Sequence, residues 1–326
     1  PAEVSFGDAL SLAGVAGRLN AVDLSFDWKN RYNLWSGLIG GMFLALSYFG
    51  CDQSQVQRYL TGKSVRHMRM SLIFNAVMKV PMQFLILLTG ALVFVFFVFE
   101  APPMLFDRAE RDRVSATQGY GETEARYRQA FEERQQAARG FLAARDGAAA
   151  ERFRATRERF ETARGEGIKL VGKPYNDTNH IFLTFVTRYL PAGVVGLILA
   201  AIFAAAMSTI SAELNSLATS TVIDLYRRYA RRDASDAHYV LVSRLATGFW
   251  GLYAMAFALF GSRWGSLVEA VNMVGSLFYG SVLGVFVLAF RVPRATGPGT
   301  CLGLLCGLAT VWAMGRYTEI AYLWYN

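Results

Sequence analysis

The feature that most constrains the fold of this sequence is a set of six long apolar segments. A bilayer core about 30 Å thick is crossed by about 20 mostly apolar residues in a helix. Because lipid offers no partners to backbone N–H and C=O groups, a spanning segment must satisfy them internally, which favours helices. The sequence therefore predicts an all-α integral membrane protein. The predicted spans are residues 34–52, 72–99, 193–221, 239–260, 267–290 and 301–314.

Basic residues are concentrated after the first, third and fifth of these spans. Cytoplasmic loops of membrane proteins carry an excess of Lys and Arg, so we predict that the loops after Asp52, Thr221 and Phe290 are cytoplasmic. The net charge of +8 then reflects orientation in the membrane, and the lipid bilayer, not a nucleic acid, is the expected partner. This pattern predicts a multi-pass plasma-membrane protein, with a bacterial inner membrane as its location.

A charged insertion separates the second and third spans. Residues 101–177 are rich in Arg, Glu, Ala and Gln, the composition of exposed helices, and we predict a solvated helical hairpin outside the cytoplasm with Gly140 or Gly147 as its break. The alternative is a solvated charged excursion with no functional role. Three regions follow: a lead-in with two spans in 1–100, the insertion in 101–177, and an interfacial segment with four spans in 178–326.

The third predicted span carries small and hydroxyl-bearing side chains on one helical face. Ser208 and Thr209 are adjacent, and the Ala205 carbonyl lies one turn earlier on the same side. Three oxygens can converge there, which suits a hard cation that prefers oxygen ligands. Two alternatives remain open at this point: these hydroxyls pack against a neighbouring helix, or they bond back to carbonyls of their own helix.

An ionisable side chain falls deep in the second predicted span. Lys79 lies ten residues beyond Arg69, about 15 Å of helix rise, which is deeper than a lysine easily reaches from the membrane surface. Such residues usually face a cavity or a partner, so the hypotheses are a substrate or ion path and a structural ion pair. Glu213, Glu269 and Asn272 are further candidates on the same grounds, with simple solvation as the alternative for Glu269.

Other features argue against an enzyme or an organic cofactor. The histidines His67, His180 and His238 fall in predicted loops, and no nucleophile with a base accompanies them. The small-residue pattern at 299, 303 and 307 allows a second helix to approach closely, by packing within the chain or by dimerisation.

Three ordered motifs together carry a family resemblance. They read YFGCDQSQVQRYL at 48–60, FNAVMKVP at 74–81 and AAAMSTISAELNSLATSTVIDLY at 204–226. The sequence resembles the sodium:solute symporter family, sodium-coupled carriers of sugars, sialic acid, vitamins, iodide and monocarboxylates. The resemblance implies symport of a small polar organic solute with Na⁺ by alternating access. The alternative, since similar domains occur fused to signalling kinases, is a transporter-like sensory domain.

The resemblance also implies an architecture larger than this chain. The family fold is an inverted repeat of two five-helix halves, and the six spans are similar to the second half with a flanking helix. The chain begins at Pro1 and is expected to be a fragment, with the missing N-terminal half of the same transporter as its partner.

The resemblance assigns roles to individual residues. The carbonyl of Ala205 and the hydroxyls of Ser208 and Thr209 match the main sodium site of the family. Ser211 matches a hydroxyl of the second sodium site of sialic-acid carriers, although Ala212 replaces the next hydroxyl of that site. The expected substrate-binding residues are Tyr48, Phe49 and Lys79, which match positions that contact sugar in galactose carriers, and Asn272. Phe49 replaces the tryptophan of those carriers, and Ala45 and Val271 replace two of their side chains that bond sugar hydroxyls, which disfavours a galactose-like substrate.

Overall fold

The computed structural model describes residues 4–20, 22–173, 175–261 and 267–325, and gives no side-chain burial for 260, 261 and 267–270. Within these residues every regular element is helical. A π-helical segment, Ser36–Gly40, leads into α2, a second one, Ser220–Ala230, continues α9, and a 3₁₀ turn lies at Tyr322–Tyr325. The helices are α1 (Phe6–Val15), α2 (Gly41–Cys51), α3 (Gln53–Leu60), α4 (Val65–Phe99), α5 (Arg108–Ser115), α6 (Tyr120–Ala144), α7 (Gly147–Lys169), α8 (Thr178–Tyr189), α9 (Ala192–Thr219), α10 (Asp236–Gly261), α11 (Leu267–Arg291) and α12 (Gly297–Tyr317).

Five helices among the described residues are long and apolar enough to cross a membrane. They are α4, α9 with its π-helical continuation, α10, α11 and α12, and they correspond to the last five predicted spans. The first predicted span is instead a shorter apolar helix, Ser36–Cys51. Asn33 precedes it and accepts a hydrogen bond from the Ser36 N–H at 2.7 Å, and Asp52 leaves helical geometry at its end. Sixteen residues rise only about 24 Å.

The chain divides into two compact units, which are described separately. One unit contains residues 1–21 and 75–195, and the other contains residues 22–74 and 196–326. Helices α4 and α9 therefore each contribute to both units. The predicted insertion lies wholly in the first unit.

The insertion forms the helical hairpin that its composition predicts. Helix α6 runs without a break through Gly140, and the chain reverses after Ala144. Arg145 adopts a left-handed conformation with φ of 51°, and the Asp146 carboxylate caps α7 by accepting a hydrogen bond from the Ala149 N–H at 2.7 Å. The turn therefore lies immediately before Gly147, one of the two predicted breaks.

The hairpin packs against α1 and the C-terminal part of α4 in one apolar core. Leu12 and Ala13 of α1 meet Ala138 of α6 and Phe153 of α7, and all four side chains are fully buried. Val98 of α4 completes this cluster. The core therefore unites the first helix of the chain with an insertion that begins some ninety residues later.

Polar contacts reinforce the attachment of α1 to the hairpin. Arg145 forms an ion pair with Asp8 at 2.5 Å, Arg157 donates to the Ala16 carbonyl at 2.5 Å, and Arg154 donates to the Val15 carbonyl at 3.2 Å. The last carbonyls of a helix lack intrahelical partners. Arginines of α7 therefore bond the C-terminal end of α1, where its dipole favours positive charge.

Helix α6 also caps the end of the α4 span. Arg134 Nη2 donates to the Phe97 carbonyl at 2.5 Å, and Gln135 Nε2 donates to the Phe99 carbonyl at 2.6 Å. Both carbonyls belong to the last turn of α4 and would otherwise need water. The hairpin thus supplies the C-terminal cap of a membrane-span helix.

The second unit is built around α11, which packs against α2 and α12. Ser47 of α2 donates to the Tyr279 carbonyl of α11 at 2.9 Å. A Cβ added at Gly307 of α12 would lie 2.5 Å from Ser281 Oγ, whereas one added at Gly303 would meet nothing within 4 Å. Close packing within the chain therefore involves Gly307, at one end of the small-residue pattern predicted at 299, 303 and 307.

Candidate functional site: a hydroxyl face on α9

The predicted sodium ligands lie together on an exposed face of α9. Ala205, Ser208, Thr209 and Ser211 are all exposed, and the helix is continuous through them. The Ser211 hydroxyl makes a long contact of 3.5 Å with the Ser208 carbonyl. No hydrogen bond joins the Ser208 or Thr209 hydroxyl to another described residue. Back-bonding within the helix therefore engages Ser211 and leaves the other two hydroxyls available.

One turn beyond these hydroxyls, α9 meets the first sequence motif. Gln57 Nε2 on α3 donates to the Ala212 carbonyl on α9 at 3.3 Å. Ala212 follows Ser208 by four residues, so it lies one turn further along the same face. The two motifs are 155 residues apart in sequence, and this contact brings them together. Sequence reasoning did not single out Gln57, although it lies inside the YFGCDQSQVQRYL motif.

Asp52 gives that motif its shape. Its backbone is extended, with φ of −76° and ψ of 118°, and its carboxylate caps α3 by accepting a hydrogen bond from the Ser54 N–H at 2.8 Å. An aspartate is a favoured N-cap because its oxygen satisfies a free N–H of the first turn. Periodicity alone suggested only the end of a helix, whereas the motif forms a helix, a one-residue break and a second, polar helix.

Two of the predicted substrate residues lie next to each other just before this break. The rings of Tyr48 and Phe49 make an edge-to-face contact with centroids 5.0 Å apart, and both side chains are half-buried. Gln55, which is 8% exposed, donates to the Tyr48 hydroxyl at 2.8 Å. The phenol is thus oriented by a buried amide.

Asn272 belongs to α11, the helix against which α2 packs. Its side chain is half-buried, and it precedes Tyr279 by seven residues, about 10 Å along the helix. Tyr279 is the residue whose carbonyl accepts the Ser47 hydrogen bond. Asn272 and the two aromatic residues therefore lie on packed helices of one unit.

The remaining candidates are placed differently. Lys79 is exposed on α4 and belongs to the first unit, whereas the other predicted site residues belong to the second. Helix α4 continues through Pro81. Glu213 is half-buried on α9, one turn after Thr209. The side chain of Glu269 lies outside the described residues.

Long apolar helices that carry polar groups define a multi-pass helical membrane protein, and the comparisons with known proteins make the class specific. Residues 157–307 match the model of the sodium:solute symporter family. Across 311 residues the chain is 26% identical to the sodium-dependent multivitamin transporter of Oryctolagus cuniculus, covering 95% of this chain and 38% of that protein. The chain is thus similar to sodium-coupled transporters over most of its length, and part of it matches the sodium:solute symporter family.

Two further relatives indicate the breadth of the similarity. The sodium/iodide cotransporter of Homo sapiens is 25% identical over 301 residues, covering 92% of this chain and 36% of that protein. The sodium/sialic acid symporter NanT of Aliivibrio fischeri is 30% identical over 152 residues, covering 46% of this chain and 30% of that protein. The chain thus spans about a third of the length of the curated relatives that it matches.

Proposed function

We propose that the chain is part of a sodium-coupled symporter for a small polar organic solute, in which the hydroxyl face of α9 contributes to the sodium site. The observation that carries the proposal is the position of Ser208 and Thr209, which are exposed, adjacent and unengaged by other described residues. The match of residues 157–307 to the sodium:solute symporter family supports sodium as the coupling ion. The Ala205 carbonyl is the third ligand, and the remaining ligands come from the other half of the inverted repeat.

The mechanism is alternating access. Sodium binds at the α9 face and stabilises a state open to the outside, and the solute then binds near Tyr48 and Phe49 on the same unit. Rocking of one half against the other opens the site to the cytoplasm, as in other inverted-repeat carriers. Coupling arises because sodium binds the two states with different affinity.

The solute class follows from the side chains that we place at its site. Tyr48 offers a hydroxyl and Asn272 offers an amide on the same unit, and both groups suit a sugar, a sugar acid or another organic anion. The names of three relatives refer to different solutes, namely multivitamins, sialic acid and iodide. Sodium-dependent uptake of sugars, sugar acids and carboxylates by the full-length transporter discriminates between these classes.

Substitution of the two hydroxyls tests the sodium site. In the full-length transporter, Ser208→Ala and Thr209→Ala should each raise the sodium concentration for half-maximal uptake about fivefold, because a lost polar contact of about 1 kcal/mol weakens binding by that factor. Thr247→Ala is the matched control, since the Thr247 hydroxyl already bonds the Ser243 carbonyl of α10 at 2.8 Å. Unchanged sodium dependence in both α9 variants overturns the assignment.

A further inference from the structure

A cavity lies at the C-terminal end of the α4 span, wholly inside the first unit. Its volume is about 560 Å³, and residues of α4, α6, α7 and α8 line it. This size is within the range of small-molecule pockets. The residues of the proposed sodium and solute sites do not line it.

One part of the cavity wall is apolar and continuous with the membrane-span surface of α4. Ile86, Leu87, Gly90 and Phe94 of α4 and Phe182 of α8 form it. Ile86 is 55% exposed, and Leu87 is 60% exposed. A hydrocarbon chain that enters the cavity can therefore leave it along the outer surface of the same span.

The other part of the wall is basic. Arg18, Arg134 and Arg164 line it together with one carboxylate, that of Glu161. Arg164 is committed to Asp177, whose oxygens lie 2.6 and 2.8 Å from Arg164 Nη2. Within the described part of the chain, no carboxylate lies at ion-pair distance from Arg18 or Arg134.

Arg134 is a buried cation on this wall with no carboxylate at ion-pair distance among the described residues. It is only 3% exposed, and burial lowers the pKa of its guanidinium to about 10, so it remains charged at neutral pH. One nitrogen donates to the Phe97 carbonyl, the guanidinium carbon lies 3.7 Å from the centroid of the Phe160 ring, and Nε has no partner among the described residues. A buried charge without an ionic partner is costly.

We propose that this cavity binds the phosphate headgroup of an anionic phospholipid. The phosphate lies against Arg134 and Arg18, and the acyl chains run along Ile86 and Leu87 on the surface of α4. An amphiphile fits both halves of the wall, whereas a free phosphate fits only the basic half. Charge-assisted hydrogen bonds from guanidinium to phosphate are about twice as strong as those between neutral groups.

Thermal-shift titrations of the full-length transporter in a neutral detergent test the proposal. Dioctanoyl phosphatidylglycerol should raise the unfolding midpoint. Dioctanoyl phosphatidylcholine should not, because its choline adds a positive charge next to the arginines and leaves no net negative charge, and glycerol 3-phosphate should not, because it has no acyl chains. Arg134→Gln should raise the lipid concentration for half of this shift about tenfold, the equivalent of about 1.4 kcal/mol. Arg152→Gln, an exposed charge on α7 outside the cavity, should leave it unchanged.

A second variant separates lipid binding from the capping role of Arg134. A Cβ at Gly90 would meet nothing within 4 Å, so Gly90→Leu can fill the cavity and keep the Arg134 bond to Phe97. It should also raise the half-shift concentration about tenfold. If Arg134→Gln does not fold, the half-shift concentrations of Gly90→Leu and Arg18→Gln test the proposal in its place. Equal shifts from both lipids, an equal shift from glycerol 3-phosphate, or an unaltered response in Gly90→Leu overturns the proposal.

Discussion

A single carboxylate holds together three segments of the insertion. Asp177, which is 4% exposed, accepts two hydrogen bonds from Arg164 of α7 and one from the Phe106 N–H at 2.8 Å. Asp177 therefore links the C-terminal part of α7, the loop before α5 and the start of α8 to one another. Removing one partner of such a pair leaves the other charge without compensation.

Asp177→Asn should destabilise the insertion by about 2–3 kcal/mol, somewhat below the loss for a fully buried pair, because Arg164 is partly exposed. The measurement is hydrogen exchange at the Phe106 amide in the full-length transporter, where the destabilisation appears as lost protection. Asp112→Asn is the control, since Asp112 is exposed and contacts Arg111 only at 3.9 Å, and it should change protection by less than about 0.5 kcal/mol. Equal protection in both variants contradicts the assigned role.

Glu110 gives α5 a dependence on pH. Hydrogen bonds from Lys173 and Arg113 lower the pKa of its carboxyl below the ordinary 4.5. A depressed pKa means that the contribution to stability is present above 4.5 and is lost as the pH falls through the folded value. Opening of α5 should therefore become easier on going from about pH 6 to about pH 3.5.

Hydrogen exchange in residues 108–115, corrected for intrinsic rates, measures this change. Glu110→Gln should remove the acid-dependent part, and its opening should be nearly the same at both pH values. An acid response of equal size in Glu110→Gln would assign the titration to another group.

At the scale of helices, replacing either of two glycines of α7 by alanine should change stability in opposite directions. A Cβ at Gly167 would lie 2.3 Å from Met104 Sδ, whereas one at Gly165 would meet nothing within 4 Å. Met104 is 3% exposed and packs with Tyr127 and Phe160, so it has little room to move. The first glycine is a packing requirement, and the second is not.

Gly165→Ala should stabilise the hairpin by about 0.5–1 kcal/mol through helix propensity. Gly167→Ala should destabilise it by about 1–2 kcal/mol, because overpacking exceeds that gain. Opening free energies of α7 amides from hydrogen exchange measure both. Stabilisation by Gly167→Ala would show that Met104 relocates freely.

The helices were largely predictable, but their contacts were not. Long apolar runs identify α4, α9, α10, α11 and α12, because bilayer thickness sets a length that the sequence displays directly. The insertion was also predictable as a helical hairpin, because its composition favours exposed helices and a glycine marks the turn. The Gln57–Ala212 contact joins residues that no periodicity relates, and the cap of α4 by Arg134 depends on a tertiary fold. The roles of Ser208 and Thr209 came from family resemblance and stay predictions.

At the scale of the whole molecule, orientation in the membrane is the property to test. The basic loops predict that the insertion faces outside and that residues 231–235 face the cytoplasm. With Cys51, Cys301 and Cys306 replaced by serine, Gln118→Cys should react with a membrane-impermeant maleimide on intact cells.

The reciprocal control for this labelling is Asp233→Cys, which should react only after the cells are permeabilised. Both positions are exposed, so accessibility within the protein does not limit either reaction. The reverse pattern contradicts the proposed orientation.

The contact between α1 and the hairpin also bears on how many times we expect the chain to cross the bilayer. Helix α1 precedes the apolar helix Ser36–Cys51 and α4, whereas the hairpin follows them, yet Leu12 and Phe153 share one core. Two contacting segments at a membrane surface lie on the same side of it, so we expect the chain between them to cross an even number of times. If α4 is one crossing, we predict that the short helix is the other, and that the bilayer thins around its 24 Å rise.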